Sequence, residues 1–116
     1  MSRLETLDKD NWEAFLASPA AVLLVGKSDC SNCQRWSEEL TAFLDEDEEW
    51  RDVRFGKVLL DKPGLTGFKR ASPWLAEVET LPFNVIYVGG ERSSSFLGSG
   101  IDRLTSRLKR LLREEG

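Results

Sequence analysis

Short apolar runs mark the predicted strands of this chain. Four segments have the length and composition of strands: residues 20–25, 53–60, 83–88 and 91–97. The first is continuously apolar between Pro19 and Gly26, which predicts a strand buried on both faces, as in a parallel sheet. Gly89 and Gly90 separate the last two segments and predict a tight hairpin.

Apolar residues at helical spacing mark the first predicted helix. Trp12, Phe15 and Leu16 lie at positions i, i+3 and i+4, so they predict one buried face. Asp8 is the predicted N-cap, because its carboxylate can accept hydrogen bonds from the free N–H groups of a first turn. Pro19 cannot continue a helix and predicts its end.

Three further segments have helical features. A long helix is predicted from about residue 30 by a stripe of residues on one face: Cys33, Trp36, Leu40, Phe43 and Leu44. Its end is followed by five acids, residues 45–49, for which we expect a solvated helix end. Residues 65–79 contain Gly67 and Pro73, which predict short or broken helical pieces. Residues 101–112 predict an amphipathic C-terminal helix.

The order of these elements predicts the fold class. Strand–helix–strand steps imply right-handed parallel crossovers, and the closing hairpin adds an antiparallel edge. We therefore expect an α/β fold with a central mixed sheet of four to five strands and helices on both faces. The chain has 116 residues without a repeat or a linker, so residues 1–116 are expected to form a single domain.

Charge and composition exclude several classes of function. The net charge is −4, which argues against a nucleic-acid binder, and no apolar run approaches the ~20 residues of a membrane span. The first ten residues lack the apolar segment of a signal peptide, so a cytoplasmic protein is expected. The chain has no histidine, which removes every histidine-dependent triad and histidine metal ligand.

The candidate chemistry lies at Cys30 and Cys33. Two thiols separated by two residues at the start of a helix can form a disulfide within the first turn. Cys30 lies at the helix N-terminus, where free N–H groups and the helix dipole favour a thiolate. Cys33 lies one turn further on the core-facing stripe. This arrangement predicts thiol–disulfide exchange, with Cys30 as the nucleophile and Cys33 as the resolving thiol.

Three other interpretations of the cysteine pair stay open at this point. A zinc site needs four ligands, and carboxylates or a second subunit would have to complete it. A purely structural disulfide would close too short a loop to stabilise the fold much. The pair could also be two unrelated core cysteines. The redox interpretation is favoured because a strand precedes the motif and a helix follows it.

Several motifs together make the sequence resemble the thioredoxin family over nearly its whole length. The first strand is followed by the cysteine motif, and residues 57–64 (KVLLDKPG) resemble the family's strand that carries a lysine and ends in an acidic turn. Thr80-Leu81-Pro82-Phe83 resembles the family's cis-proline loop. Gly98, before the last helix, also matches a family glycine.

The resemblance implies a fold and a site. The implied fold is thioredoxin-like, and the implied redox-active centre is the Cys30–Cys33 pair with no bound cofactor and no metal. It further implies that Pro82 is cis and lies beside the two sulfurs, so that the backbone of Leu81 can pair with an extended substrate. The expected substrate-binding residues come from this proline loop and from the segment around the cysteines. They are Leu81, Pro82, Asp29, Ser31 and Asn32.

Some residues depart from the family pattern near the cysteines. Asp29 replaces a usual tryptophan and is expected to raise the pKa of Cys30, which Lys27 could offset. Ser31 and Asn32 replace the usual Gly-Pro, and residues 22–25 supply no buried acid beneath the second cysteine. Lys57 therefore lacks that acidic partner; its amine could lower the pKa of Cys33, or it could extend to solvent.

A further departure is in the segment between Asp61 and Pro82. It is longer than in a minimal thioredoxin, and its extra residues around 72–74 could reshape the substrate groove or form a surface excursion.

The function expected from these residues is that of an enzyme. The primary hypothesis is a monomeric, cytoplasmic oxidoreductase that acts on protein disulfides and takes electrons from a thioredoxin-reductase-type or other thiol donor. The alternative is a thioredoxin-fold binding module or redox sensor with little general reductase activity, motivated by Asp29 and the missing buried acid. A metal carrier that shares thiolates across a dimer is a third hypothesis.

Overall fold

A five-stranded mixed sheet lies at the centre of the computed structural model, which describes residues 3–113. Its strands are β1 (Leu4–Thr6), β2 (Ala20–Gly26), β3 (Arg54–Leu59), β4 (Phe83–Val88) and β5 (Glu91–Leu97). Their order is β1-β3-β2-β4-β5; β3 is parallel to β1 and β2, and β4 is antiparallel to β2 and β5. The predicted α/β class with a mixed sheet is therefore confirmed.

Four α-helices and one 3₁₀ helix surround the sheet. They are α1 (Trp12–Ala17), α2 (Ser31–Glu46), α3 (Thr66–Ala71), the 3₁₀ helix Pro73–Glu77 and α4 (Ile101–Leu112). Buried residues of α2 and α4 share one core with the sheet, while α1 and α3 pack into a second core on the opposite face. None of the helices within the described range is long and apolar enough to cross a membrane.

Strand β2 joins the two cores. All seven of its residues are buried, as the apolar run predicted. Val22 and Leu24 face the α2–α4 core, and Leu23 and Val25 face the α1–α3 core, because successive side chains of a strand point to opposite faces. The loop after β2 leads directly into α2, so this strand sets the position of the cysteine motif.

The predicted start of the first helix is wrong in detail. Helix α1 begins at Trp12, and its N-cap residue is Asn11 rather than Asp8. The Asp8 carboxylate instead accepts hydrogen bonds from the N–H groups of Asp10 (2.8 Å) and Asn11 (3.0 Å), which organises the turn before the helix. An aspartate commonly forms such a turn two or three residues before a helix.

Strand β1 is absent from the sequence prediction. It has only three residues, and its parallel pairing with β3 joins Leu4 to Phe55 and Thr6 to Lys57. A segment this short has too little alternation to be recognised alone, because its strand geometry depends on a partner about fifty residues away.

The acidic end of α2 is more structured than predicted. Glu46, Glu48 and Glu49 are exposed, but the Asp47 carboxylate accepts hydrogen bonds from the Trp50 N–H (2.8 Å) and from Arg3 (3.1 Å). This residue therefore caps the helix end and fixes the chain reversal that follows it.

The predicted domain spans residues 1–116, of which 1–2 and 114–116 lie outside the described residues. The assignment of the whole range to one domain therefore stays a prediction.

Candidate redox site

The two cysteines lie where the loop after β2 enters α2. Cys30 is the N-cap residue of α2 and forms a disulfide with Cys33, whose Cα atom is 5.2 Å away. The Cys33 N–H donates a hydrogen bond to Sγ of Cys30 at 3.1 Å. Sγ of Cys30 thus occupies the place of a capping side-chain oxygen, where a free N–H group and the helix dipole favour negative charge.

The two sulfur-bearing residues differ in their access to solvent. Cys30 is partly exposed, whereas Cys33 is only 3% exposed. Because an incoming nucleophile or disulfide must reach the sulfur it attacks, Cys30 is the more accessible partner for exchange. This order of access agrees with the sequence prediction.

The loop before Cys30 is held by hydrogen bonds on two sides. The backbone N–H and the hydroxyl of Ser28 both donate to the Asp61 carboxylate, and the N–H bond measures 3.0 Å. Gln34 of α2 donates from its side-chain amide to the Ser28 carbonyl at 2.7 Å. The hydroxyl bond from Ser28 holds the pKa of Asp61 below its ordinary value. The loop is therefore fixed to both the end of β3 and the first turn of α2.

A pocket of about 310 Å³ lies on the side of the site that carries Leu81 and Pro82. We call it the front pocket; its lining comprises Asn32, Arg35, Trp36, Glu39, Thr80, Leu81, Pro82, Gly98 and Ser99. The resemblance implied a cis Leu81–Pro82 peptide bond, and the bond is cis in the structure. The front pocket therefore brings Asn32, Leu81 and Pro82 together, three of the five residues expected to bind substrate.

Leu81 presents its backbone without an internal partner. Within residues 3–113, no backbone hydrogen bond involves the N–H or the C=O of Leu81, whereas the Pro82 carbonyl accepts one from Gly98 at 2.9 Å. Leu81 itself is only partly exposed. Free backbone groups beside a pocket can pair with an extended peptide, as in strand addition.

Asn84, which the sequence pattern did not single out as a site residue, supports the front pocket from beneath. Asn84 is only 1% exposed, and its side-chain oxygen accepts a hydrogen bond from Nε1 of Trp36 at 2.7 Å. The amide nitrogen donates to the carbonyls of Gly98 (2.8 Å) and Phe96 (3.2 Å). The network joins α2 to the strand after Pro82 and to the loop that carries Gly98. One polar residue within an otherwise apolar strand was the available signal.

A second cleft, of about 300 Å³, lies behind Cys33. We call it the rear cleft; its lining comprises Leu24, Lys27, Ser28, Cys33, Gln34, Ser37, Glu38, Lys57 and Leu59. Lys57 is partly buried, and its amine donates to the Ser37 hydroxyl at 3.4 Å. Both lysines singled out from the sequence thus line the cleft that reaches Cys33, and Glu38 of α2 adds a carboxylate that the sequence analysis did not consider.

Gly26 lets Cys33 pack directly against the end of β2. A Cβ atom at Gly26 would lie 3.0 Å from Cβ of Cys33 and 3.1 Å from its Sγ, closer than carbon and sulfur atoms normally approach. A side chain here would force Cys33 to shift by a few tenths of an ångström, so glycine is favoured by a close approach rather than by a turn. A glycine at the end of a buried strand, just before a reactive motif, was the signal that the sequence offered.

Two predicted substrate-binding residues line neither the front pocket nor the rear cleft. Asp29 and Ser31 are exposed on either side of Cys30 in the chain. Within the described residues, no group of three or more cysteine, aspartate or glutamate side chains is arranged to hold a metal ion.

Several solved structures have a similar fold over nearly the whole chain. Chlamydomonas reinhardtii thioredoxin f2 matches with 23% identity and a TM-score of 0.73, over 97% of this chain and 99% of that chain. Arabidopsis thaliana thioredoxin O2 in the oxidized state matches with 22% identity and a TM-score of 0.73, over 97% and 96% of the two chains. The chain has the thioredoxin fold.

A third match of this fold occurs in a complex. The crystal structure of ferredoxin:thioredoxin reductase with thioredoxin f2 contains a chain that matches with 15% identity and a TM-score of 0.72, over 93% of this chain and 94% of that one. No protein-family model and no curated protein sequence matches the chain.

The segment before Pro82 packs against the start of β4. The 3₁₀ helix Pro73–Glu77 brings Trp74 to within 6.0 Å of the Phe83 ring, measured between ring centroids, beside the start of β4. Of the two interpretations offered for residues 72–74, a reshaped groove therefore fits the structure better than a separate surface excursion.

Proposed function

We propose that the protein is a thiol–disulfide oxidoreductase that acts on protein disulfides. In the reducing direction, the Cys30 thiolate attacks one sulfur of a substrate disulfide and releases the other as a thiolate. The Cys33 thiolate then attacks Sγ of Cys30 in the mixed disulfide. The substrate leaves with two thiols, and the two electrons come from the dithiol, which becomes the Cys30–Cys33 disulfide.

One observation carries this proposal above the others: a disulfide with one accessible sulfur at the N-terminus of α2 and one buried sulfur a turn further. The accessible sulfur can exchange with a large partner, while the buried one can react only within the molecule. A structural disulfide needs no such difference. The thioredoxin fold of the chain is consistent with this chemistry and does not establish it.

The proposal also covers the substrate segment, the electron donor, the oligomeric state and the cellular compartment. Extended protein segments would pair with Leu81 and occupy the front pocket. A thiol electron donor would regenerate the dithiol; a thioredoxin f2 forms a complex with ferredoxin:thioredoxin reductase, which supports a reductase of that general kind. We propose a monomer that works in the cytoplasm without a bound cofactor.

The test is the reduction of insulin disulfides by the wild-type protein and its cysteine variants, with dithiothreitol as the terminal reductant. Cys30→Ser should lower the rate to the uncatalysed background, because no accessible nucleophile remains. Cys33→Ser should stall after the first attack. A control variant, Ser93→Ala on exposed β5, should retain the wild-type rate. Wild-type rates in both cysteine variants would contradict the proposal.

The direction of the reaction requires a separate measurement. Equilibration of the cysteine pair with defined ratios of reduced and oxidised glutathione gives its reduction potential. A strongly reducing potential supports a reductase, and a high potential supports an oxidase, an isomerase or a sensor.

A binding module or redox sensor is the alternative, and one observation favours it. Leu24 is the residue paired with Lys57 across β2 and β3, so an apolar side chain stands where the resemblance implies a buried acid. Without that acid, proton transfer at Cys33 would be slow and turnover low. This alternative predicts slow insulin reduction together with partner binding that survives in the Cys30→Ser/Cys33→Ser double variant.

A further inference from the structure

A groove beside the front pocket has an apolar floor and an acidic rim. We call it the side groove; its volume is about 340 Å³ and its lining comprises Trp74, Glu77, Val78, Glu79, Thr80, Phe83, Arg92 and Leu97. Leu97 is 49% exposed and is the one large apolar side chain of the described residues that stands open to solvent. Exposed apolar surface of this kind suits contact with a partner chain.

The side groove continues from the front pocket. Thr80 lines both of them, and Leu81 follows it in the chain with a backbone that has no internal partner. An extended segment that pairs with Leu81 would therefore run past Thr80 toward Glu79 and Glu77, which precede Leu81 by two and four residues. In such pairing each substrate residue advances by roughly 3.3 Å, so about four residues suffice to reach the rim.

The charges on the groove are unequal. Glu77 and Glu79 are exposed, and neither carboxylate forms an ion pair or hydrogen bond within residues 3–113. Arg92 is the opposing charge, but its guanidinium stacks over the Trp74 ring, 5.0 Å from the centroid, and forms part of the wall. Arg92 keeps its positive charge in this stack, so two unpaired carboxylates stand against one guanidinium and the groove remains acidic on balance.

We infer that the protein prefers disulfide substrates with a lysine or arginine within about four residues of the attacked cysteine. The inference rests on the proposed function and names the substrate class of the same site. An apolar residue of the substrate would cover Leu97 and Phe83, while the basic side chain would lie against Glu77 and Glu79. Complementary charge of this kind raises the association rate and penalises acidic partners.

The test uses three disulfide-linked peptides that differ only near the cysteine, where they carry lysines, serines or glutamates on both flanks. Fully reduced protein is mixed with each peptide in a single turnover, so no electron donor is needed. We expect the lysine peptide to react about fivefold faster than the glutamate peptide at low salt, the size typical of two exposed ion pairs. In about 1 M salt, where the Debye length is about 3 Å, the ratio should approach one.

A matched pair of double variants separates local charge from net charge. Glu77→Gln/Glu79→Gln should reduce the lysine-to-glutamate ratio to below twofold. Asp45→Asn/Glu46→Gln removes two charges from the far end of α2, about 22 Å along the helix, and should keep the ratio.

The outcomes distinguish the inference from the proposed function. Equal rates for the three peptides, or an equal fall of the ratio in both double variants, would overturn the inference while the enzyme remains a reductase. Reduction of none of the peptides, the neutral one included, would overturn the proposed function and the inference with it.

Discussion

The front and the rear of the disulfide are built differently. The front pocket next to Leu81 and Pro82 consists of loop residues and helix surface, with free backbone groups and mixed charges. The rear cleft behind Cys33 is formed by two neighbouring strands and one face of α2, against the end of β2. We therefore expect the front to recognise a partner and the rear to set the geometry and protonation of the buried sulfur.

The difference shows which changes should matter for which step. In the proposed mechanism, attack by Cys30 on a substrate should depend on the front, and resolution by Cys33 should depend on the rear. Variants on the two sides should therefore affect different rates, and a variant that affects both equally would weaken the distinction.

The largest effect is expected from the buried network that supports the front pocket. Asn84→Leu keeps the number and branching of the side-chain heavy atoms but leaves Nε1 of Trp36 and the carbonyl of Gly98 without their partner. Unsatisfied buried polar groups should lower the free energy of unfolding by about 2–4 kcal/mol. Urea unfolding followed by tryptophan fluorescence measures the loss. Ser95→Ala, an exposed change on β5, should cost under about 0.5 kcal/mol; a similar small loss for Asn84→Leu would contradict the role of the network.

The second-largest loss of stability is expected from a change behind the disulfide, next to Cys33. Gly26→Ala places a methyl group about 3 Å from Cys33, which should destabilise the oxidised protein by about 1–3 kcal/mol. The dithiol form should lose less, because Sγ of Cys33 can then rotate away. Urea unfolding of the oxidised and the reduced variant measures both losses against wild type. Equal losses in the two forms would show that the contact with the sulfur is unimportant.

Lys57→Met tests the electrostatics of the rear cleft at nearly constant side-chain length. Loss of the ammonium group should lower the thiolate fraction of Cys33, so the mixed disulfide should resolve about three- to tenfold more slowly. The rate of the first attack should stay unchanged. Rapid-quench separation of the intermediate measures both rates, with Lys62→Met, an exposed loop change, as the control. Slower attack with unchanged resolution would show that Lys57 acts on Cys30 rather than on Cys33.

The smallest effect is expected at the front, next to Cys30. Asp29→Asn removes an exposed negative charge adjacent to the attacking sulfur and should raise its thiolate fraction, with about a two- to threefold faster alkylation at low salt and neutral pH. The gain should disappear at high salt because exposed charges are screened. Asp45→Asn, at the other end of α2, should change nothing. A slower rate in Asp29→Asn would reverse the assigned sign.

Local chemistry made part of this site predictable from the sequence. The spacing of Cys30 and Cys33 and their position at a helix start can be recognised within four residues. Pro82 can be recognised because it directly precedes a strand with a clear apolar pattern. The four longer strands and α4 were predicted because each has enough residues for a period to appear.

The parts that could not be predicted depend on contacts distant in the chain. Strand β1 is defined by β3, Asn84 by Trp36 and Gly98, and Gly26 by the Cys33 side chain. The position of Lys57 beside Ser37 and Glu38 also needs the packing of α2 on the sheet. Single-sequence patterns contain no information on such pairs.

Capture of a substrate in a mixed disulfide shows which of the two cysteines attacks the substrate. Cys33→Ser and Cys30→Ser are each mixed with a peptide disulfide, and the linked residue is identified by mass spectrometry after acid quenching. We expect rapid capture on Cys30 in Cys33→Ser, and capture by the remaining Cys33 of Cys30→Ser only after denaturation. Comparable capture on Cys33 in the folded Cys30→Ser variant, or no capture on Cys30, would contradict it.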